Sequence, residues 1–243
     1  MFSVYKKELQ SFFYTPFAYV ITALFMFLFT LMFNNALGNL DNPVLQFTFP
    51  DIFYNVIFFV IVLIPILTMR TFADERKFGT EVLLMTSPVS VLKIVLAKFL
   101  ANATVFLCML AGSAVFPIIT AFKGEVVMSQ LLCAYLGFFL WGLMYITLGM
   151  FISSFTESAI IAAILGELAM FLFLFIDNFS GIAFFSQYPK LQSVLYSFAA
   201  QPRFGYFSQG FIRLSDIVFF VSAIIVLLSW TYISIEKRRW KRG

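Results

Sequence analysis

The sequence predicts an all-helical, polytopic membrane protein, and three observations carry that prediction. Hydrophobic residues make up 62% of the 243-residue chain and charged residues 12%, whereas about a quarter of a soluble domain is charged. Six apolar runs are long enough to cross a bilayer core of about 30 Å, which takes roughly 20 helical residues each. Lysine and arginine gather beside alternate ends of those runs, as they do where loops face the cytoplasm. A chain of this length with loops this short holds one transmembrane domain, residues 1–243, and no second.

Ahead of the first run, MFSVYKKELQSFFYTP (residues 1–16) sets Phe2, Tyr5, Leu9 and Phe12 on one helical face and Ser3, Lys6, Lys7 and Gln10 opposite. This periodicity predicts an amphipathic helix in the membrane interface that turns inward near Pro16; the alternative is a frayed extension. No small-residue cleavage site follows the first run, so the N-terminus is expected to stay in place. The spans are expected at Phe17 to Phe33, Ile52 to Met69, Ile94 to Phe122, Ser129 to Ile152, Ser158 to Ile176 and Asp216 to Ile235. The second and fifth are short, and Pro117 in the long third predicts a tilt or kink near its outer end.

Orientation follows from the basic residues. Lys6 and Lys7 precede the first span, Arg70, Arg76, Lys77, Lys93 and Lys98 flank the loop after the second, and Lys237, Arg238, Arg239, Lys241 and Arg242 follow the last. The opposite loops hold only Lys123, Lys190, Arg203 and Arg213, so both termini and the second loop are expected in the cytoplasm. The formal net charge of +4 is then a topology signal rather than a nucleic-acid surface. Residues 177–215 form an outer stretch rich in aromatics and too long for a tight turn; they predict short helices on or in the outer leaflet. Its Asp177, Lys190, Arg203 and Arg213 serve either an extracytoplasmic partner or head group, or simple anchoring.

The most charged passage in the first nine-tenths of the chain is RTFADERKFGTEVLLMTSPVS, residues 70–90. Asp74, Glu75, Arg76, Lys77 and Glu81 are mixed in sign, which argues against a polybasic lipid patch and for a surface that meets another protein. The alternative is a solvated loop whose charges only fix topology. Gly79 predicts a break in this helix, and Ser87 with Pro88 predicts the N-cap and first position of the next one. The short inner loop from Ser153 to Ser158 is either a second contact with the same partner or a solvated turn.

Glu167, inside the fifth span, is the one charge expected deep in the membrane. It faces the translocation path or a second copy of the chain, or it is a protonated carboxyl bonded to a neighbouring helix. Gly142 and Gly149 share a face of the fourth span and favour close helix packing. Phenylalanines striping the first and fifth spans either line a path for a lipid-like substrate or face lipid. There is no histidine, Cys108 and Cys133 have no metal-ligand spacing around them, and no nucleophile–base pair is present. Disulfide, metal and enzyme chemistry are therefore not expected. No G-x-x-x-x-G-K-[ST] occurs, so the chain does not itself cradle ATP.

The loop RTFADERKFGTEVLLMTSPVS…KIVLAKFLA resembles that between the second and third spans of the permeases of type-2 ATP-binding cassette exporters. YKKELQSFFYTPFAYV, GMFISSFTES, LYSFAAQPRFGYFSQGFIRLSDIVFF and IEKRRW further resemble the branch named for gliding-motility permeases. The resemblance implies six spans in a bacterial cell membrane and pairing with a second permease copy or paralogue. It also implies a separate cytoplasmic ATPase subunit that binds the ATP and Mg, leaving this chain cofactor-free and non-catalytic. Residues 70–90 would be a coupling helix, with Phe72, Asp74, Glu75, Arg76, Gly79, Thr80 and Glu81 at the ATPase surface. The branch further implies an accessory membrane protein with a large extracytoplasmic domain. Two rival functions remain from the residues alone: a gradient-driven secondary transporter, and a mechanotransmitting or assembly protein that moves an outer partner without transport.

Overall fold

A computed structural model describes residues 1–38, 49–82, 89–122, 127–176 and 189–242, and the regular elements among them are helices. Helix α1 (Phe2–Tyr14) ends at Thr15, whose backbone is extended with ψ 154°, the conformation favoured before a proline. Its Tyr5, Leu9 and Phe12 turn inward, as the periodicity predicts, but Phe2 is 73% exposed and leaves the stripe. Helix α2 (Phe17–Gly38) follows directly. Helix α3 (Phe49–Thr68) contains Pro65 and stops three residues beyond it, and α4 (Arg70–Lys77) begins after a one-residue break at Met69.

The third apolar segment divides into α5 (Val91–Ser113) and α6 (Val115–Ala121). The break at Ala114 lies where Pro117 denies the Ser113 carbonyl its i+4 amide, so the predicted kink has a direct cause. The start of α5 is later than the sequence suggests. Ser87 and Pro88 lie outside the described residues, but Val89 and Ser90 are not helical and Ser90 is the N-cap. Helix α7 (Met128–Ser153) is next, then α8 (Ala159–Leu174), the short α9 (Pro189–Ser197) and α10 (Gln201–Ser208), and the long α11 (Leu214–Arg242).

Among the described residues, five helical stretches are long and apolar enough to cross a membrane: Phe17–Leu37, Asp51–Lys77, Val91–Ala121, Met128–Ser153 and Leu214–Arg238. The fifth expected span corresponds to α8, which at 16 residues is only about 24 Å long.

Helix α7 is central, with α3, α5, α8, α10 and α11 around it. Gly142 and Gly149 permit this, but for different neighbours. A Cβ at Gly142 would fall on the Phe106 ring of α5, and one at Gly149 on the Thr68 hydroxyl of α3. Aromatic rings fill the interior: Phe29 on Phe116 at 5.0 Å between centroids, Phe53 on Tyr135 at 4.7 Å and on Phe138 at 5.1 Å. Phe25 and Phe29 of the first span are wholly buried in that packing and build the core, whereas Phe27 is 59% exposed.

At one end of the bundle, α10 buries Phe204 and Phe207 against α3 and α7. Arg203 Nη1 donates to Asp216 Oδ1 at 2.9 Å and its guanidinium lies 4.2 Å over Phe219, while Arg213 stacks 3.6 Å over Tyr206. These two arginines fix α10 to α11; Lys190 is exposed, and Asp177 lies outside the described residues.

Candidate functional site

The charged passage gathers at the other end of the bundle, with α1, the first turns of α5, and the last turns of α7 and α11. Helix α4 has no capping side chain of its own. The cap comes instead from α7: the Ser153 hydroxyl accepts the amides of Phe72 at 3.2 Å and Ala73 at 3.3 Å, and donates to the Met69 carbonyl at 2.9 Å. Ser153 is fully buried, and each amide left there without an acceptor would cost about 1–3 kcal/mol.

One turn along α4, Lys98 of α5 supplies the second tie. Its ammonium is 1% exposed and donates to Glu8 of α1 at 2.9 Å, to Glu75 at 2.8 Å and to the Thr71 carbonyl at 2.8 Å. A lysine has three N–H donors, and all three are used. It also stands 5.3 Å from the Phe72 ring centroid. Asn102, four residues on and on the same face of α5, donates to the Thr71 hydroxyl at 3.3 Å and to the Lys98 carbonyl at 2.9 Å. A buried ion is tolerated only when paired in this way.

Two arginines close the far side. Arg76 donates to Glu157 at 2.8 Å and to the Ser154 carbonyl at 3.4 Å. Arg238, near the end of α11, donates to Glu81 at 3.3 Å, to the Ser234 hydroxyl at 3.1 Å and to that same Ser154 carbonyl. The inner loop after α7 is therefore bonded to both α4 and α11.

Of the seven residues singled out in the charged passage, Phe72 and Glu81 are buried, and Glu75 and Arg76 are mostly covered by their partners. Asp74 is half-exposed, 4.0 Å from Arg70. Gly79 has φ +70°, with nothing within 4 Å of a Cβ placed on it. It is the left-handed residue that ends the helix, which confirms the break expected there. Thr80 is exposed and donates to the Glu75 carbonyl at 3.4 Å. Around the turn stand Lys77, Phe78 at 70% exposure and Val82 at 46%.

Glu167 lies midway along α8, half-buried, and its Oε1 has no hydrogen-bond partner among the described residues. Lys98, at the end of the bundle that gathers the charges, is more buried within the protein and better paired. Reading charges for topology missed Lys98, Glu8, Asn102, Ser153, Glu157 and Arg238. A signal was present for one pair: Lys98 and Asn102 are polar residues four apart inside an apolar run.

A family model for ABC-2 family transporter proteins matches residues 2–239, nearly the whole chain. The chain belongs to this family. As an ABC-2 permease it is the membrane component of an ABC transporter, a multi-pass protein of a kind that associates with an ABC ATPase and is typically non-catalytic itself. No curated protein matches it in sequence.

Proposed function

We propose that this permease works in an ATP-driven exporter of the bacterial cell membrane, with residues 70–82 as the coupling element. A separate cytoplasmic ATPase, holding the ATP and Mg, docks on the turn at Lys77, Phe78, Gly79, Thr80 and Val82, with Asp74 at its edge. Phe72, Glu75, Arg76 and Glu81 act behind that surface, tying the element to the spans. The observation that carries this reading is Phe78. A large apolar side chain stands 70% exposed on a short helix whose other side is bonded to α1, α5, α7 and α11. An exposed aromatic beside polar residues suits a binding hot spot.

Six crossings are supported by the Arg238–Ser154 contact. The chain leaves Ser154 and returns to the same end at Arg238, so α8 and α11 together make an even number of crossings. The family's dimeric arrangement, with an identical or paralogous second copy, is part of the proposal, as are cytoplasmic termini. Glu167, midway along a largely exposed helix, is assigned to the path or the face between the two copies. The gliding-motility likeness adds an accessory protein with an extracytoplasmic domain at the α9–α10 end.

Affinity purification of the tagged chain with its operon-encoded ATPase tests the reading. Phe78→Asp is expected to cut ATPase recovery at least tenfold, about 1.4 kcal/mol or more, while the chain itself still purifies. Full recovery with Phe78→Asp, or a wild-type chain that never retains an ATPase, rules the docking surface out.

A further inference from the structure

We propose that Ser153 is the positioning residue of the coupling stroke: its hydroxyl is the pin of a hinge between α3 and α4. In an unbroken helix the Ala73 amide would bond the Met69 carbonyl. Here the Ser153 hydroxyl stands between them, accepting from Ala73 at 3.3 Å and donating to Met69 at 2.9 Å. Met69 keeps helical torsions, φ −55° and ψ −35°, so the ladder is interrupted in its hydrogen bonds while the chain runs on, and a side chain inserted at such a point marks where a helix can bend. The same hydroxyl accepts the Phe72 amide, so one oxygen serves both amides at the break.

Three further contacts show that the neighbouring helices are shaped around this joint. Pro65, one turn before Met69, has no amide to bond the Ile61 carbonyl, which weakens the helix on the span side. Gly149 lies one turn before Ser153 on the same face of α7, and only a residue without Cβ admits Thr68 there. Gly166 of α8 faces Pro65, a Cβ on it being 3.5 Å from the proline ring. The approach at Gly149 is the one that requires a glycine, since a Cβ on Gly166 would meet Pro65 at ordinary contact distance, and the joint's bonds use a hydroxyl that is able to re-orient. On its C-terminal side, Gly79 at φ +70° ends α4, so the element is bounded by an interruption at each end.

A short helix between two breaks transmits a push by rotating as a unit, and Ser153 sets the angle from which it starts. Because Ser153 belongs to α7, the centre of the bundle, motion of α4 is passed to α7 directly as well as along the chain into α3. This rests on the proposed ATP-driven function, since an ATPase must supply the push.

The test uses the full-length chain in nanodiscs with its ATPase, comparing wild type, Ser153→Ala and Ser153→Cys, the last nearly keeping the volume while weakening all three bonds. Hydrogen exchange at Phe72 and Ala73 is expected to quicken at least tenfold in Ser153→Ala and less in Ser153→Cys, with α7 amides unchanged. Maximal ATPase stimulation is expected to fall at least fivefold in Ser153→Ala, while the ATPase concentration giving half-stimulation stays the same. A role limited to holding the fold would move both values or neither. Unchanged exchange overturns the hinge, and quickened exchange with full stimulation overturns its part in coupling. A wild-type chain that no ATPase binds or stimulates would instead fail the exporter function, with the exchange rates still deciding the hinge.

Discussion

Lys98 shows how much of the charged end depends on a single side chain. Removing one member of a buried ionic cluster leaves the others desolvated without compensation, at about 3–5 kcal/mol. Lys98→Met is therefore expected to lower the thermal midpoint of the purified chain sharply. Adding Glu8→Gln and Glu75→Gln to that variant should recover most of the loss, because no bare carboxylate then remains. A triple variant no more stable than Lys98→Met would mean that the three groups do not share one site. The identity of this cluster was hidden in the sequence for a physical reason. Lys98 and Glu8 are 90 positions apart, and neither carries a local sign that α1 folds back onto α5. What was legible was the cost: a lysine eight residues into an apolar helix needs a partner.

At the scale of the elements, local chemistry set most boundaries and those were readable. Pro16 ends α1, Pro117 accounts for the α5–α6 break, and Gly79 ends α4. The start of α5 was misplaced because Ser87 and Pro88 form a good helix entry by type, yet the residues after them, Val89 and Ser90, are not helical. The charged helix was read correctly as an element and differently in its faces. Mixed charges in sequence look like a surface, but Glu75, Arg76 and Glu81 each meet an opposite charge from elsewhere in the chain. The position of α4 is thus fixed largely by its paired charges, and what this end leaves exposed is mixed, Arg70 and Lys77 on the helix and Phe78 and Thr80 at the turn. Gly79→Ala has room for its methyl but not the backbone freedom, so it is expected to cost about 1–2 kcal/mol. Gly79→Asn, which tolerates the left-handed region, should cost less. Equal melting of the two variants would show that the positive φ is not required.

For the whole molecule, the governing constraint is that the charged residues of α1, α4, α5, α11 and the loop after α7 meet at one end. Helix α8, about 24 Å long, is the element that composition alone leaves in doubt as a span, while the return of Arg238 to Ser154 favours its carrying the chain across. Membrane-impermeant thiol labelling follows from this topology, in a chain whose Cys108 and Cys133 are replaced by alanine. A cysteine at Lys190 is expected to react in intact cells, and cysteines at Lys77 and Lys237 only after the membrane is opened. Reaction at Lys237 but not Lys77 in intact cells would place the two on opposite sides and remove one crossing. The central claim, that an ATPase engages the α4 tip, is most directly tested by a photo-crosslinking amino acid at Phe78, with Phe122, 85% exposed beyond α6, as the opposite-end position. The account predicts a covalent adduct with the ABC ATPase from Phe78 and none from Phe122. ATPase captured from Phe122, or none from Phe78 in cells where the complex assembles, would contradict it.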